Sequence, residues 1–341
     1  MDSAAGAISK GGGLTLSRRM VLSGSLAMLA ACQGRFSSLL TATDTHVLGY
    51  PTVQAVIRFG EILSERTGGR LGLKMYAGGQ LGNERDTLEI ATFGGLDFNR
   101  VNLAPLNSIE PLTRVPALPF LFESTGHMRA SMDGPIGDEI LASLEPHGLI
   151  GLCFYDSGAR SFYNTRGPIN TPADMAGLKL RVPGSDLHVA MIKSLGADAT
   201  PMPLDEVYQA LAQGVIDGAE NNWPSFESGK HFEVARYYSL TRHLLSPEMF
   251  VMSKISWDKQ TAADQQLIRE AAKLSVPYMR QLWDAQVAKS MKIVLASGVE
   301  VNEVDPAPFT EAMMVMWADF IDTPREQELV DQILSMRKRG K

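Results

Sequence analysis

Two arginines stand just past apolar, strand-like runs. Arg181 follows Leu178-Lys179-Leu180 and precedes Val182-Pro183-Gly184, and Arg160 follows Tyr155-Asp156-Ser157-Gly158-Ala159. A guanidinium at a strand end points at the crevice where open α/β sheets bind ligands, and two of them can grip one carboxylate in bidentate fashion. The plain alternative is that each pairs with an internal acid such as Asp156. Glu220-Asn221-Asn222-Trp223-Pro224 follows another apolar run. Asn221 brings a donor and an acceptor, and Trp223 a flat apolar wall, which suits a sugar-like ligand. The same run could equally serve as a helix cap before Pro224. Signatures of other chemistry are missing from the sequence. It has no Gly-x-x-x-x-Gly-Lys-Ser/Thr phosphate loop, no Gly-x-Ser-x-Gly elbow and no His-Glu-x-x-His pair. His46, His127, His147, His188, His231 and His243 lack ligand spacing, so neither a metal nor a cofactor is expected. Cys153 lies in an apolar run without a neighbouring base and reads as an inert buried thiol.

The elements that would position these groups alternate between helix and strand. Val53, Val56, Ile57, Gly60 and Leu63 have helical spacing over Thr52–Arg66, and Gly68-Gly69 stops that helix. Leu71, Leu73 and Met75 alternate as a strand. Asn83 reads as the N-cap of a helix through Phe93, and Leu96–Val101 as the next strand. Leu149–Tyr155 is an unbroken apolar run, expected as a buried parallel strand. Leu178–Val182, Val215–Ala219 and Val299–Val304 read as further strands. Ser185–Leu195 and Leu204–Gln213 read as helices, and a long helical tract runs from Asp258 to about Ala296, with Pro277 expected to kink or break it. Repeated β-α-β units predict an α/β fold with a mostly parallel sheet covered on both faces. At 341 residues, 45% of them hydrophobic, two such lobes fit. A formal charge of −6 without a basic block argues against nucleic acid as a partner. No apolar run reaches the roughly 20 residues of a membrane span.

Residues 1–32 read as an export signal. Ser17-Arg18-Arg19-Met20-Val21-Leu22 and a short apolar stretch lead to Leu29-Ala30-Ala31-Cys32. The arginine pair resembles a twin-arginine signal, and the last four residues resemble a lipobox whose Cys32 would carry lipid. The bland reading of Cys32 is a residue near an ordinary cleavage site. A lipid there would be the chain's membrane tether. Without these residues the charge moves from −6 to −8, because Lys10, Arg18, Arg19 and Asp2 leave together.

Three segments carry a family resemblance: Gly177-Leu178-Lys179-Leu180-Arg181-Val182-Pro183, Thr200-Pro201-Met202-Pro203-Leu204-Asp205-Glu206-Val207-Tyr208-Gln209-Ala210-Leu211 and Val215-Ile216-Asp217-Gly218-Ala219-Glu220-Asn221. With Gly79-Gln80-Leu81-Gly82-Asn83-Glu84-Arg85 they resemble the DctP-type solute-binding proteins of tripartite ATP-independent periplasmic (TRAP) transporters, over about residues 43–310. The resemblance implies a two-lobed periplasmic-binding-protein architecture with hinge strands and a long helix spanning both lobes. It places residues 43–157 and 247–286 in an N-terminal lobe, and 158–246 and 287–335 in a C-terminal lobe. It implies that Arg181 pairs with the ligand carboxylate, that Arg160 is a second site arginine, and that Asn221, Glu84 and Asn102 meet the ligand. Gly184 and Ser185 occupy the turn after Arg181. Asn102 replaces an acid found in sialic-acid binders, and Leu204 falls where some members place an aromatic wall. The runs Asn99–Asn107 and Gly218–Glu233 resemble members that bind hexuronates such as glucuronate or galacturonate. They add His46, Arg100 and Trp223 as candidates for hydroxyl and ring contacts. The implied function is capture of a small organic acid in the periplasm and delivery to membrane permease subunits, with no enzymatic step. A secreted sugar-acid enzyme with Glu84 or Glu220 as base, and a sensory module, are the alternatives from other classes.

Overall fold

Val53, Val56, Phe59 and Leu63 bury one face of the first helix, and their packing on strands from three distant segments builds the first lobe. The computed structural model describes residues 38–337, so the expected export signal, residues 1–32 with Cys32, lies outside the described residues. The strands are β1 (Ser38–Thr43), β2 (Leu71–Tyr76), β3 (Phe98–Asn102), β4 (Leu149–Asp156), β5 (Arg160–Asn164), β6 (Lys179–Val182), β7 (Asp198–Pro201), β8 (Gly218–Asn221), β9 (Tyr237–Leu244), β10 (Pro247–Ser253) and β11 (Glu300–Glu303). The α-helices are α1 (Pro51–Arg66), α2 (Glu84–Thr92), α3 (Leu103–Leu106), α4 (Thr125–Met132), α5 (Pro135–Ala142), α6 (Asp186–Ser194), α7 (Val207–Ala212), α8 (Trp223–Ser228), α9 (Lys254–Asp258), α10 (Ala262–Ala296), α11 (Pro306–Met314) and α12 (Pro324–Ser335).

The first sheet has the order β2-β1-β3-β10-β4 and the second β11-β9-β5-β8-β6-β7. Both are mixed, which corrects the expected mostly parallel arrangement. β10 runs antiparallel to β3 and β4, and β5 antiparallel to β8 and β9. β4 is buried at every position, yet its neighbour β10 opposes it. An unbroken apolar run reports two covered faces and says nothing about the direction of the neighbour.

The chain passes between the sheets at Ser157-Gly158-Ala159, after β4, and at Leu245-Ser246, after β9. Gly158 has φ +62°, and a Cβ there would stand 2.9 Å from the Trp283 indole nitrogen, so this crossing needs glycine. α10 is the third link. Its 35 residues span about 52 Å at roughly 1.5 Å per residue, packing on α1 and β4 in the first lobe and α8 in the second. It starts at Ala262, capped by Thr261, and runs unbroken through Pro277. Pro277 faces solvent while Val276 and Met279 are buried beside it, so packing holds the helix across the lost hydrogen bond. The tail differs from the expected division, which put 287–335 in the second lobe. α11 packs on β9, but α12 packs on residues 111–117 of the first lobe, and His127 Nε2 lies 2.9 Å from the Ile333 carbonyl. The tail therefore straddles both lobes.

Candidate functional site

Strand register gathers the polar side chains of the second lobe. Arg181 on β6 pairs with Ala219 on β8, Asn221 ends β8 opposite Ser161, and Arg160 opens β5. The first lobe answers from three elements. Asn102 ends β3 opposite Glu248 on β10, and His46 follows β1. Glu84 opens α2, where the Asn83 side chain accepts from the N–H groups of Arg85 and Asp86. An inner pocket is lined by His46, Glu84, Asn102, Arg160, Arg181 and Asn221, joined by Pro183, Leu204, Ser225 and Glu248. Six of these also line a wider cleft of about 840 Å³ between the lobes, which Ser185 borders. The Ser185 hydroxyl lies 3.1 Å from the Asn107 side-chain amide across that cleft. A second cross-lobe contact joins the Tyr50 and Ser225 hydroxyls at 2.9 Å.

The three buried arginines differ in their company. Arg160 donates from Nε and Nη2 to the Glu220 carboxylate at 2.5 and 2.7 Å, and from Nη1 to Asn221 Oδ1 at 3.0 Å. Burial lowers its pKa, but the Glu220 charge outweighs that and raises it. Burial likewise works against the Glu220 carboxyl, yet Arg160 holds it well below the usual carboxylate range. A carboxylate fixed in this way is a poor general base. Arg100 is fully buried behind the pocket, not in its lining, and sits against Asp44, Glu84 at 2.9 Å and Glu248 at 3.1 Å. Arg181 makes a single hydrogen bond, from Nε to the Met202 carbonyl at 2.9 Å, and no ion pair among the described residues. Burial draws its pKa below the usual arginine value. Asp156, the internal acid offered as a partner for Arg160, pairs with Arg129 and Arg280 at the hinge instead.

The remaining candidates fall in different places. Asn221 accepts from Arg160 and from the Asn222 N–H at 2.9 Å, which leaves its Nδ2 to donate into the pocket. The Asn102 N–H donates to Glu84 Oε1 at 3.1 Å. His46 lines the pocket with its ring stacked on Tyr50, centroids 3.8 Å apart, and its Nδ1 3.0 Å from Asp44 Oδ1. Trp223 lies outside the lining. It packs on Tyr238 at 4.3 Å within the second lobe's core, so it supports β8 and β9 and not the pocket wall. Burial pushes the Cys153 thiol up to about 12, consistent with an inert core residue. Among the described residues no group of three or more His, Cys, Asp or Glu could hold a metal ion.

Sequence reasoning missed Asp44, Ser225 and Glu248. A signal existed for Glu248, an acid in the apolar strand Pro247–Ser253, because such a charge is rarely buried without purpose.

The family model described as DctP, bacterial extracellular solute-binding protein, family 7, matches residues 44–323. A solute-binding protein of Chromohalobacter salexigens is 43% identical over 292 residues, 85% of this chain and 87% of that protein. A TRAP periplasmic solute-binding protein from a Bradyrhizobium species, solved in complex with α/β-D-galacturonate, is 50% identical with a TM-score of 0.86, covering 87% of this chain and 99% of that one. A Chromohalobacter salexigens TRAP protein solved with bound D-glucuronate is 42% identical with a TM-score of 0.85, covering 87% and 100%. On the match across both lobes, the chain belongs to the DctP family of TRAP solute-binding proteins.

Proposed function

We propose that this protein captures a hexuronate, D-galacturonate or D-glucuronate, and hands it to the membrane permease of a TRAP transporter from the periplasm. The observation that carries this reading is Arg181, a buried guanidinium in the pocket lining with no internal carboxylate partner among the described residues. A guest carboxylate would supply the missing charge through two N–H donors in a fork, and hydrogen bonds to charged groups contribute about 1.5–3 kcal/mol each. The opposite wall presents Glu84, Asn102 and Glu248, which accept from donors. A molecule with one carboxylate and several hydroxyls matches that polarity end to end. The relatives solved with galacturonate and glucuronate point to the same class. Closure about the two crossings and α10 would exclude water from the pair. Export by residues 1–32, with or without acylation of Cys32, belongs to this reading.

Titration calorimetry tests it. The protein is expected to bind one of the two hexuronates in the micromolar range or tighter, and to release it unchanged. Arg181→Ala should lose binding by about a hundredfold or more, as expected when one partner of a buried pair is removed. Arg181→Lys should remain badly impaired because the planar fork is gone. Near wild-type affinity in either variant would reject the carboxylate assignment.

A further inference from the structure

We propose that Glu248 selects the ligand class: its carboxylate accepts a hydrogen bond from a guest hydroxyl and turns away a guest that carries a second carboxylate there. The inference rests on the Arg181 reading above and concerns the other end of the same guest.

Glu248 lies on β10 in the first lobe, is 1% exposed, and lines the inner pocket with Arg160 and Arg181. Its Oε2 has no hydrogen-bond partner, although Arg100 Nη1 lies 3.1 Å away. Its Oε1 receives only a long contact, 3.4 Å, from Asn102 Nδ2. An ionised carboxylate accepts up to about four hydrogen bonds, so this one has acceptor capacity left over in a residue that lines the pocket. Arg100 cannot serve it fully. One guanidinium is shared by Asp44, Glu84 and Glu248, and its Nη1 hydrogen bond goes to Glu84 at 2.9 Å. Burial accordingly pushes the Glu248 carboxyl above its ordinary value, against the pull of Arg100 and His46. Buried polar groups without partners are rare, and one in a ligand pocket calls for a donor from the ligand.

The geometry also implies a repulsion. A uronate held at Arg181 turns hydroxyls toward Glu84 and Glu248. An aldarate, the same sugar with its aldehyde carbon oxidised to a second carboxylate, would bring a like charge against two acids. Like charges in a site closed to water repel strongly.

Calorimetry at pH 8 with D-galacturonate and galactarate decides this, because the two share the configuration at C2 to C5; galactarate stays open-chain, so the change in their ratio on substitution, and not the wild-type ratio alone, is the readout. The wild-type protein should bind galacturonate at least about tenfold more tightly. Glu248→Gln should weaken galacturonate about tenfold, the loss of one charge-assisted hydrogen bond, and narrow the gap between the two guests about fivefold or more. Glu248→Asp, which keeps the charge but shortens the reach, should weaken galacturonate and keep the gap. A variant that merely loosens the fold would weaken both guests alike, and an unchanged ratio in Glu248→Gln overturns the proposal. If Arg181→Ala abolishes binding while Glu248→Gln changes neither affinity nor ratio, this inference falls alone. If Glu248→Gln shifts the ratio but Arg181→Ala binds normally, the carboxylate assignment falls instead. If glucuronate is the guest, glucarate takes the place of galactarate in the same comparison, and a wild-type protein that binds neither hexuronate removes both.

Discussion

Arg100 and Arg181 are buried guanidiniums on opposite sides of one pocket, and their surroundings are opposite too. Arg100 stands among three carboxylates, Asp44, Glu84 and Glu248, and its pKa is raised by them despite burial. Arg181 has a carbonyl for company and its pKa is lowered. The first arrangement is internally compensated and orients the acids of the first-lobe wall. The second keeps a desolvated charge that feels Glu220 and Glu84 only from a distance and has no carboxylate in contact among the described residues, which folding alone would not favour. Burial depth does not separate a structural arginine from a binding one here. The count of acids around each does.

The largest test of that contrast is stability. Arg100→Met leaves three acids, Asp44 and Glu248 buried and Glu84 partly so, without their cation, and breaking such a group costs about 3–5 kcal/mol. Urea unfolding should therefore show Arg100→Met severely destabilised while the equivalent change at Arg181 is tolerated. Equal losses at the two positions would break the comparison.

Acid should separate the lobes next. In the second lobe burial pushes His188 down to about 4 and His231 down to about 3, from an ordinary 6.5. An imidazole lowered in the fold takes its proton first in the unfolded chain. Its contribution is full above about pH 6.5 and is lost as the pH falls toward 4. In the first lobe burial works against Asp44, but Arg100 and His46 hold it far below the usual carboxylate range, so its contribution is full above about pH 4 and is lost only as the pH falls below that. Glu248 is raised by burial, so acid favours the folded lobe there. Hydrogen exchange at pH 4.5 should therefore expose β5 and β8 before β1 and β3. His188→Asn should recover up to about 3 kcal/mol of the stability lost between pH 7 and pH 4. Simultaneous loss in both lobes would show that these imidazoles do not set the order.

Much of this was legible in the sequence where local chemistry fixed it. Asn83 caps α2 as its spacing before Glu84 predicts, and the apolar face of α1 marks itself by period. The family resemblance named residues that register brings to one pocket: Arg160, Arg181, Asn221, Glu84, Asn102 and His46. What stayed hidden is pairing across distance. Nothing near Arg160 in the chain announces Glu220, 60 residues away, and Asp156, close by, is taken by Arg129 and Arg280. Trp223 looked like a ligand wall because an exposed and a buried indole read alike in sequence; Tyr238 and Phe226 decide the matter. Strand direction was equally silent, since β4 and β10 differ from a parallel pair only in how the chain returns.

The smallest expected effect sharpens the contrast most. If Arg181 is buried for a guest and not for the fold, replacing it with an apolar residue of similar reach should not weaken the free protein. Buried charge replaced by well-packed hydrophobic volume is often neutral or stabilising. Arg181→Met loses one hydrogen bond to the Met202 carbonyl and relieves the cost of an uncompensated guanidinium. The balance should be a gain of about 1 kcal/mol, read as a rise of about 2 °C in the midpoint of the ligand-free protein. The same variant should lose the upward shift that saturating hexuronate gives the wild type. Stability and binding would then move in opposite directions at one residue, which no internally paired arginine can do: at Arg100 both should fall together.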